Sequence, residues 1–352
     1  MEDFAQILLA WYAREGRDLS WRHTHDPYRI WLSEIILQQT RVAQGTAYYH
    51  RFIERFTDVT SLAVASEDEV LKLWQGLGYY SRARHLHKAA QEIVARFGGR
   101  FPKTFEEVRS LTGVGDYTAA AICSAAFGLP YAAVDGNVYR VLARLFDIDT
   151  PIDTTSGKRQ FAELAQSLLD PANAGSYNQA IMDFGALVCT PLHPHCEECP
   201  FSQHCLALAA GMITQRPVKR GKVSVRDRWF HYLHILCKEH TVLCRRIAGD
   251  IWQGLYEFPL LEMSSADVEI KDLCTSADFQ KWIGTDWHLR QRISLPRHQL
   301  SHQRIHAVVW QIEVPKLTEL AVSYACPIAK LEQYAIPRLL ERYFEILSET
   351  TK

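Results

Sequence analysis

The stretch Leu111-Thr112-Gly113-Val114-Gly115-Asp116-Tyr117-Thr118-Ala119-Ala120-Ala121 decides how the first half of the chain is read. A helical run, Phe105 to Ser110, precedes it, and an alanine-rich helical run follows. Two glycines around one apolar residue between two helices make a tight hairpin, because glycine tolerates the left-handed backbone such a turn needs. The N–H groups of Gly113, Val114 and Gly115, with the N-terminus of the next helix, can hold a phosphate. This is a helix-hairpin-helix that grips DNA without reading its sequence. An ordinary turn between helices, with Asp116 as N-cap, accounts for the glycine pair equally well.

Outward from the hairpin, apolar residues recur at three and four up to about Gly211, as in Phe4-Ile7-Leu8-Trp11 and Val70-Leu73-Trp74-Leu77. The first half is therefore all-α. Residues 214–228 carry Arg216, Lys219, Arg220, Lys222, Arg226 and Arg228 without periodicity and read as a basic linker. Beyond it, Trp229 to Cys237 and His306 to Val314 have the composition of strands, and a helix or two, interrupted at Pro337, closes the chain between Ile328 and Leu347. The predicted boundaries are 1–213 for an all-α domain, 214–228 for the linker and 229–352 for an α+β domain. A chain of 352 residues, 47% hydrophobic, has enough apolar mass for two cores.

A net charge of -1 removes the basic excess of a generic DNA binder, so any contact with phosphates is local. The hairpin, the segment Arg82 to Lys88 and the linker are the places for it, with a salt-sensitive affinity. The first residues lack the pattern of a secretion signal, and no window approaches the roughly 18 apolar residues of a membrane span. The reading is a cytoplasmic, monomeric protein.

Four of the nine cysteines fall in Cys189-x6-Cys196-x2-Cys199-x5-Cys205. Clustered thiols in a long chain with an odd cysteine count indicate a metal site rather than a disulfide framework. Zinc favours two short C-x2-C knuckles, whereas one close pair in an irregular set suits a [4Fe-4S] cluster; structural zinc is the alternative.

Two carboxylates carry the remaining chemistry. Glu34 lies in Ile30-Trp31-Leu32-Ser33-Glu34-Ile35-Ile36-Leu37, a helix apolar on nearly every side, so its charged form is poorly solvated and its pKa should rise. Asp135, in Val134-Asp135-Gly136-Asn137-Val138, stands where a helix begins, and backbone N–H groups there should favour its ionised form. A protonated acid beside an anion is the division of labour needed to cleave a glycosidic bond through an oxocarbenium-like transition state. Taken singly, each has a structural alternative as an ion pair or a cap.

Together these features resemble the adenine DNA glycosylases of the MutY type, within the helix-hairpin-helix glycosylase superfamily. The resemblance is carried by Trp21-Arg22, Ser33-Glu34, Leu37-Gln38-Gln39-Thr40, Gly76-Leu77-Gly78-Tyr79-Tyr80-Ser81-Arg82, the hairpin, Val134 to Val138 and the four cysteines, in that order. It implies that Glu34 protonates adenine N7 and that Asp135 stabilises the sugar cation or bonds to it transiently. It further implies that Tyr117 and Asn137 position Asp135, that Arg22 and Gln179 contact the flipped base beside Trp21, and that Gln39, Thr40, Leu77 and Tyr79 fill or wedge the stack. Endonuclease III-like relatives carry a lysine where this chain has Tyr117; without that amine the resemblance implies hydrolysis with no strand cleavage.

Trp252-Gln253-Gly254-Leu255-Tyr256-Glu257-Phe258-Pro259 and Leu300-Ser301-His302 resemble the Nudix-like lesion-recognition domain of the same family. No glutamate-rich metal-binding run follows Gly254, so this domain should bind rather than hydrolyse. Leu300 stands where the family has phenylalanine, which weakens the expected grip on 8-oxoguanine. The implied partner is double-stranded DNA containing 8-oxoguanine·A or G·A. A glycosylase for thymine or uracil opposite guanine, a non-catalytic mismatch binder and a zinc-stabilised DNA-binding protein are the alternatives. The cysteine pattern predicts a brown protein with broad visible absorbance when purified without oxygen; a colourless protein holding stoichiometric zinc contradicts it.

Overall fold

The computed structural model describes residues 3–221, 224–247 and 249–350, so Lys222 of the basic stretch lies outside the described residues. Packing divides the chain into two units: residues 1–64 with 85–222, and residues 65–84 with 223–352. The segment 65–84, which the sequence boundaries assign to the first domain, therefore groups with the second.

The first unit is helical. Asp26 caps the Pro27–Leu37 helix by accepting from Tyr28 N, and Pro27 occupies the first turn, where its missing N–H costs nothing. Gly128, at φ 66°, ends the Asp116–Phe127 helix in a left-handed cap. The predicted Phe4, Leu8 and Trp11 face is buried against Val141, Leu142, Tyr177, Ile181 and Phe184. Each such side chain contributes roughly 1.5–3 kcal/mol on burial. Phe201, from the cysteine-bearing loop, lies 4.9 Å from the Phe4 ring and 5.3 Å from Phe184, tying that loop to the core.

In the hairpin, Gly113 adopts φ 79° and Val114 N donates to Leu111 O at 3.1 Å. Glu92 anchors it by accepting from Thr112 N at 2.9 Å and Thr112 Oγ1 at 2.6 Å. Gly115, not Asp116, is the N-cap. Asp116 lies one residue inside the helix, exposed and paired with Arg109.

The second unit holds a sheet in which Arg226–Leu236 runs parallel to Gln303–Glu313, flanked by Leu260–Met263 on one side and His288–Ser294 on the other. The strands begin three residues before the sequence reading places them, at Arg226 and Gln303. Alternation sends Phe230, Tyr232, Ile305 and Val309 into one core and Leu233, Ile235, Val308 and Trp310 into another. A short 3-10 turn, Ile328–Gln333, and the helix Arg338–Thr350 close the chain on either side of Pro337.

Several residues read as free cations are structural instead. Arg228 is buried in the first strand between Asp250 and Glu262, Arg216 pairs with Asp147 at 2.9 Å, and Arg82 and His87 are buried. Acids distant in the sequence neutralise some of these charges, which a local charge count cannot detect. The Glu67–Trp74 helix stops before Leu77, because Gly76 turns to φ 94°. Among the described residues no helix is long and apolar enough to cross a membrane.

A Cβ at Gly113 would lie 2.6 Å from His85 Cβ, on a backbone that L-residues disfavour. Gly113→Ala is predicted to destabilise the protein by more than about 1 kcal/mol and to lower the melting temperature; an unchanged temperature contradicts this account of the hairpin.

Candidate active site

Glu34 sits mid-way along the Pro27–Leu37 helix with only 8% exposure, between neighbours that are themselves buried. The Tyr117 hydroxyl donates to its Oε2 at 2.7 Å and also contacts Met182 Sδ at 3.4 Å. Burial pushes the Glu34 carboxyl above the usual range; the Tyr117 bond pulls it back, the nearby Asp135 raises it and Arg22 lowers it. The direction is the one the sequence implies.

Asp135 is the N-cap of the Gly136–Leu145 helix, as expected. Its Oδ1 accepts from Val138 N at 2.8 Å and its Oδ2 from Asn137 Nδ2 at 2.8 Å. Its acidity departs from expectation: burial raises the pKa, and the Val138, Asn137 and Arg140 groups offset only part of the rise. The helix start does supply N–H groups, but removal from water outweighs them. Tyr117 also departs from the role the resemblance implies, because its hydroxyl is committed to Glu34 while Asn137 holds Asp135.

Asn137 Oδ1 accepts from Arg140 Nη2 at 2.8 Å, and Arg140 Nε donates to the Cys189 carbonyl at 2.7 Å. A hydrogen-bonded chain thus runs from Asp135 to the start of the cysteine loop.

A cavity of about 750 Å³ is lined by Trp21, Arg22, Glu34, Gln39, Thr40, Tyr117, Asp135, Asn137 and Gln179. Nine of the residues singled out in the sequence therefore meet in one place. A second cavity, of about 270 Å³, shares Trp21, Arg22, Glu34 and Gln179 with it. Gln39 is exposed at φ 56°, a left-handed backbone that a non-glycine residue keeps only where its surroundings impose it.

The sequence reading missed Arg17 and Asp183. Asp183, on the Ala174–Leu187 helix, is fully buried and accepts from both arginines, including Arg22 Nη1 at 2.7 Å and Nη2 at 2.8 Å. Its setting in Ala180-Ile181-Met182-Asp183-Phe184 repeats the signal that singled out Glu34, a lone acid in an apolar helix.

Leu77, Tyr79, Leu300, Ser301 and His302 lie in the second unit. Tyr79, Leu300, Ser301 and His302 line a cavity of about 500 Å³ together with Arg84 and Trp252. Tyr79, at φ 48° between Gly78 and Tyr80, holds its ring 49% exposed, whereas Leu77 is buried. Leu300 packs on the core, and Ser301 and His302 are exposed and bonded to each other at 3.1 Å.

Cys189, Cys196, Cys199 and Cys205 face one small cavity with His195, Leu208 and Ile213, and all four are free thiols. Burial pushes Cys199 up to about 11, with the neighbouring cysteines adding to the rise, so a thiolate at Cys199 would need a cationic partner. Arg144 Nη1 lies 3.5 Å from Cys189 Sγ. Among the described residues no group of three or more His, Cys, Asp or Glu is spaced to hold a single metal ion.

Comparison with known proteins gives this geometry a lineage. Residues 32–169 match the family of HhH-GPD superfamily base excision DNA repair proteins, and residues 231–345 match the NUDIX domain. The chain is 43% identical over 232 residues to the adenine DNA glycosylase of Homo sapiens, covering 61% of this chain and 42% of that relative. It thus spans less than half the length of the human protein. It is 31% identical over 315 residues to the adenine DNA glycosylase of Buchnera aphidicola subsp. Schizaphis graminum, covering 87% of this chain and 86% of that one. Among solved structures, a thermostable thymine-DNA glycosylase superposes with a TM-score of 0.56 at 31% identity, covering 59% of this chain and 96% of its own. With the Buchnera relative matched over 86% of its length at 31% identity, and the two family matches on this chain, the chain belongs to the adenine DNA glycosylase family.

Proposed function

We propose that this protein removes adenine opposite 8-oxoguanine, and more slowly opposite guanine, by hydrolysing the N-glycosidic bond without cutting the strand. The observation that carries the reading is the meeting of Glu34 and Asp135 in one cavity, with Tyr117 on the first and Asn137 on the second.

The steps follow from what each group can do. The flipped adenine enters the cavity against Trp21, Arg22 and Gln179. Glu34, its pKa raised by burial, gives its proton to adenine N7. The C1′–N9 bond then breaks, its electron pair leaving with the purine, and the cationic sugar is stabilised by the Asp135 carboxylate. Water adds at C1′ and its proton returns to a carboxylate, leaving free adenine and an abasic site. No amine stands at Tyr117 to form a Schiff base, so the strand survives.

In this reading Gly113, Val114 and Gly115 hold the backbone of duplex DNA, Gln39, Thr40, Leu77 and Tyr79 stabilise the opened stack, and Leu300, Ser301 and His302 read the damaged base. The protein works as a monomer, with the helical unit as the catalytic part and the sheet-bearing unit for recognition. Cys189, Cys196, Cys199 and Cys205 hold a [4Fe-4S] cluster, which when bound supplies the positive charge that keeps four thiolates ionised and fixes their loop. A second reading, excision of mispaired thymine, draws on the likeness to the thymine-DNA glycosylase structure, which covers 59% of this chain.

Single-turnover assays on 8-oxoguanine·A, G·A, T·G and U·G duplexes, with alkali added after quenching, separate the two. Adenine is lost selectively, fastest opposite 8-oxoguanine; Glu34→Gln slows this by about 10²–10⁴-fold, and Ser301→Ala with His302→Ala erodes the preference. Activity confined to T·G or U·G, or strand scission before alkali, contradicts the proposal. Glu34→Gln also has a stability signature. A buried acid whose folded pKa lies above its unfolded value destabilises the fold as pH rises through that interval. The variant should melt higher than the parent at pH 8, with the gap closing as pH falls below the ordinary carboxylate range; a gap independent of pH contradicts the raised acid.

A further inference from the structure

Asp183 is an unusual acid for this site. It is completely buried and lines neither cavity, yet it sits under the arginine that does. Its Oδ2 accepts from Arg17 N at 2.9 Å and Arg22 Nη1 at 2.7 Å; its Oδ1 accepts from Arg17 Nε at 2.8 Å, Arg22 Nη2 at 2.8 Å and Arg17 Nη2. Arg22 Nη1 also donates to the Arg17 carbonyl at 3.0 Å. Burial opposes ionisation of Asp183, but the bonds from Arg22 and Arg17 outweigh it and hold the carboxyl below its usual range.

These bonds fix the guanidinium of Arg22 in plane and in rotation, since both of its terminal nitrogens are committed. Arg17 stops the carboxylate from turning with it. The Tyr12 ring lies 5.8 Å from the guanidinium; burial raises the pKa of its hydroxyl, and the charge of Arg22 and a hydrogen bond from it pull that pKa back.

We infer that Asp183 is a positioning residue for base excision: by engaging both terminal nitrogens of Arg22 it fixes that guanidinium in the wall of the cavity that also holds Glu34. The inference rests on the proposed adenine excision, and Asp183 acts only through Arg22.

The test is a double-mutant cycle on the full chain. It is read as single-turnover adenine excision and, separately, as Kd for a duplex carrying a non-hydrolysable 2′-fluoro-adenosine, with the melting temperature of every variant recorded. Asp183→Asn should slow excision about 100-fold with Kd within about twofold of the parent's. The same change in an Arg22→Gln background should alter the rate by less than about threefold, because nothing is left to position. An equal loss in both backgrounds, or a rate within about threefold of the parent's for Asp183→Asn alone, overturns the inference while leaving adenine excision standing; a parent that excises no adenine overturns both. Should Asp183→Asn fail to fold, Arg17→Ala decides the matter, since that side chain is 30% exposed and its removal leaves the Arg22 pair intact. Its roughly tenfold loss, about one charge-assisted hydrogen bond, should vanish with Arg22→Gln and persist there if Asp183 has no such role.

Discussion

Raising the pKa of a carboxylic acid requires removing it from water without giving its charged form a strong partner. Glu34 meets that requirement through the helix that carries it, where Ile30, Trp31, Leu32, Ile35 and Ile36 are all buried. The one polar bond the structure gives its carboxyl, from the Tyr117 hydroxyl, comes from a neutral group. Arg22 spends its terminal nitrogens on Asp183 and lowers Glu34 only through space. Replace that arrangement with a direct arginine–glutamate pair and the acid would be ionised and useless as a proton donor.

Both carboxylates of the cavity are pushed upward, so burial alone does not separate their tasks. The difference lies in the donors. Asp135 receives a backbone N–H from Val138 and the side-chain amide of Asn137, with Arg140 behind it, whereas Glu34 receives a single phenol. Negative charge is therefore better tolerated on Asp135, where a sugar cation would form, than on Glu34, where a proton must be given up. The chain through Asn137 and Arg140 to the Cys189 carbonyl makes the orientation of Asp135 depend on a well-formed cysteine loop.

Much of this was legible in the sequence because it is local. A glycine pair between helices, a lone acid in an apolar helix, an Asp-Gly-Asn helix start and four spaced cysteines each announce themselves within a few residues. What escaped was set by residues far apart. Arg228 reads as a linker cation and is a buried strand residue between Asp250 and Glu262; residues 65–84 read as part of the first domain and pack with the second unit. Asp183 carried the same local signal as Glu34, but its meaning depends on Arg17 and Arg22, more than 160 positions away in the chain. The pKa direction of Asp135 was misjudged for a related reason: N–H groups at a helix start are visible in sequence, and the extent of burial is not.

The central claim is that Glu34 works as an acid raised by burial and restrained by Tyr117. It is tested most directly by the pH dependence of single-turnover adenine excision in the parent and in Tyr117→Phe. Removing the hydroxyl takes away a bond that favours the carboxylate, so the pH at which the proton donor is lost should lie above the usual carboxylate range in the parent and move higher still in the variant. A rate that declines through the ordinary carboxylate range, or a profile that Tyr117→Phe leaves in place or moves downward, would contradict the account.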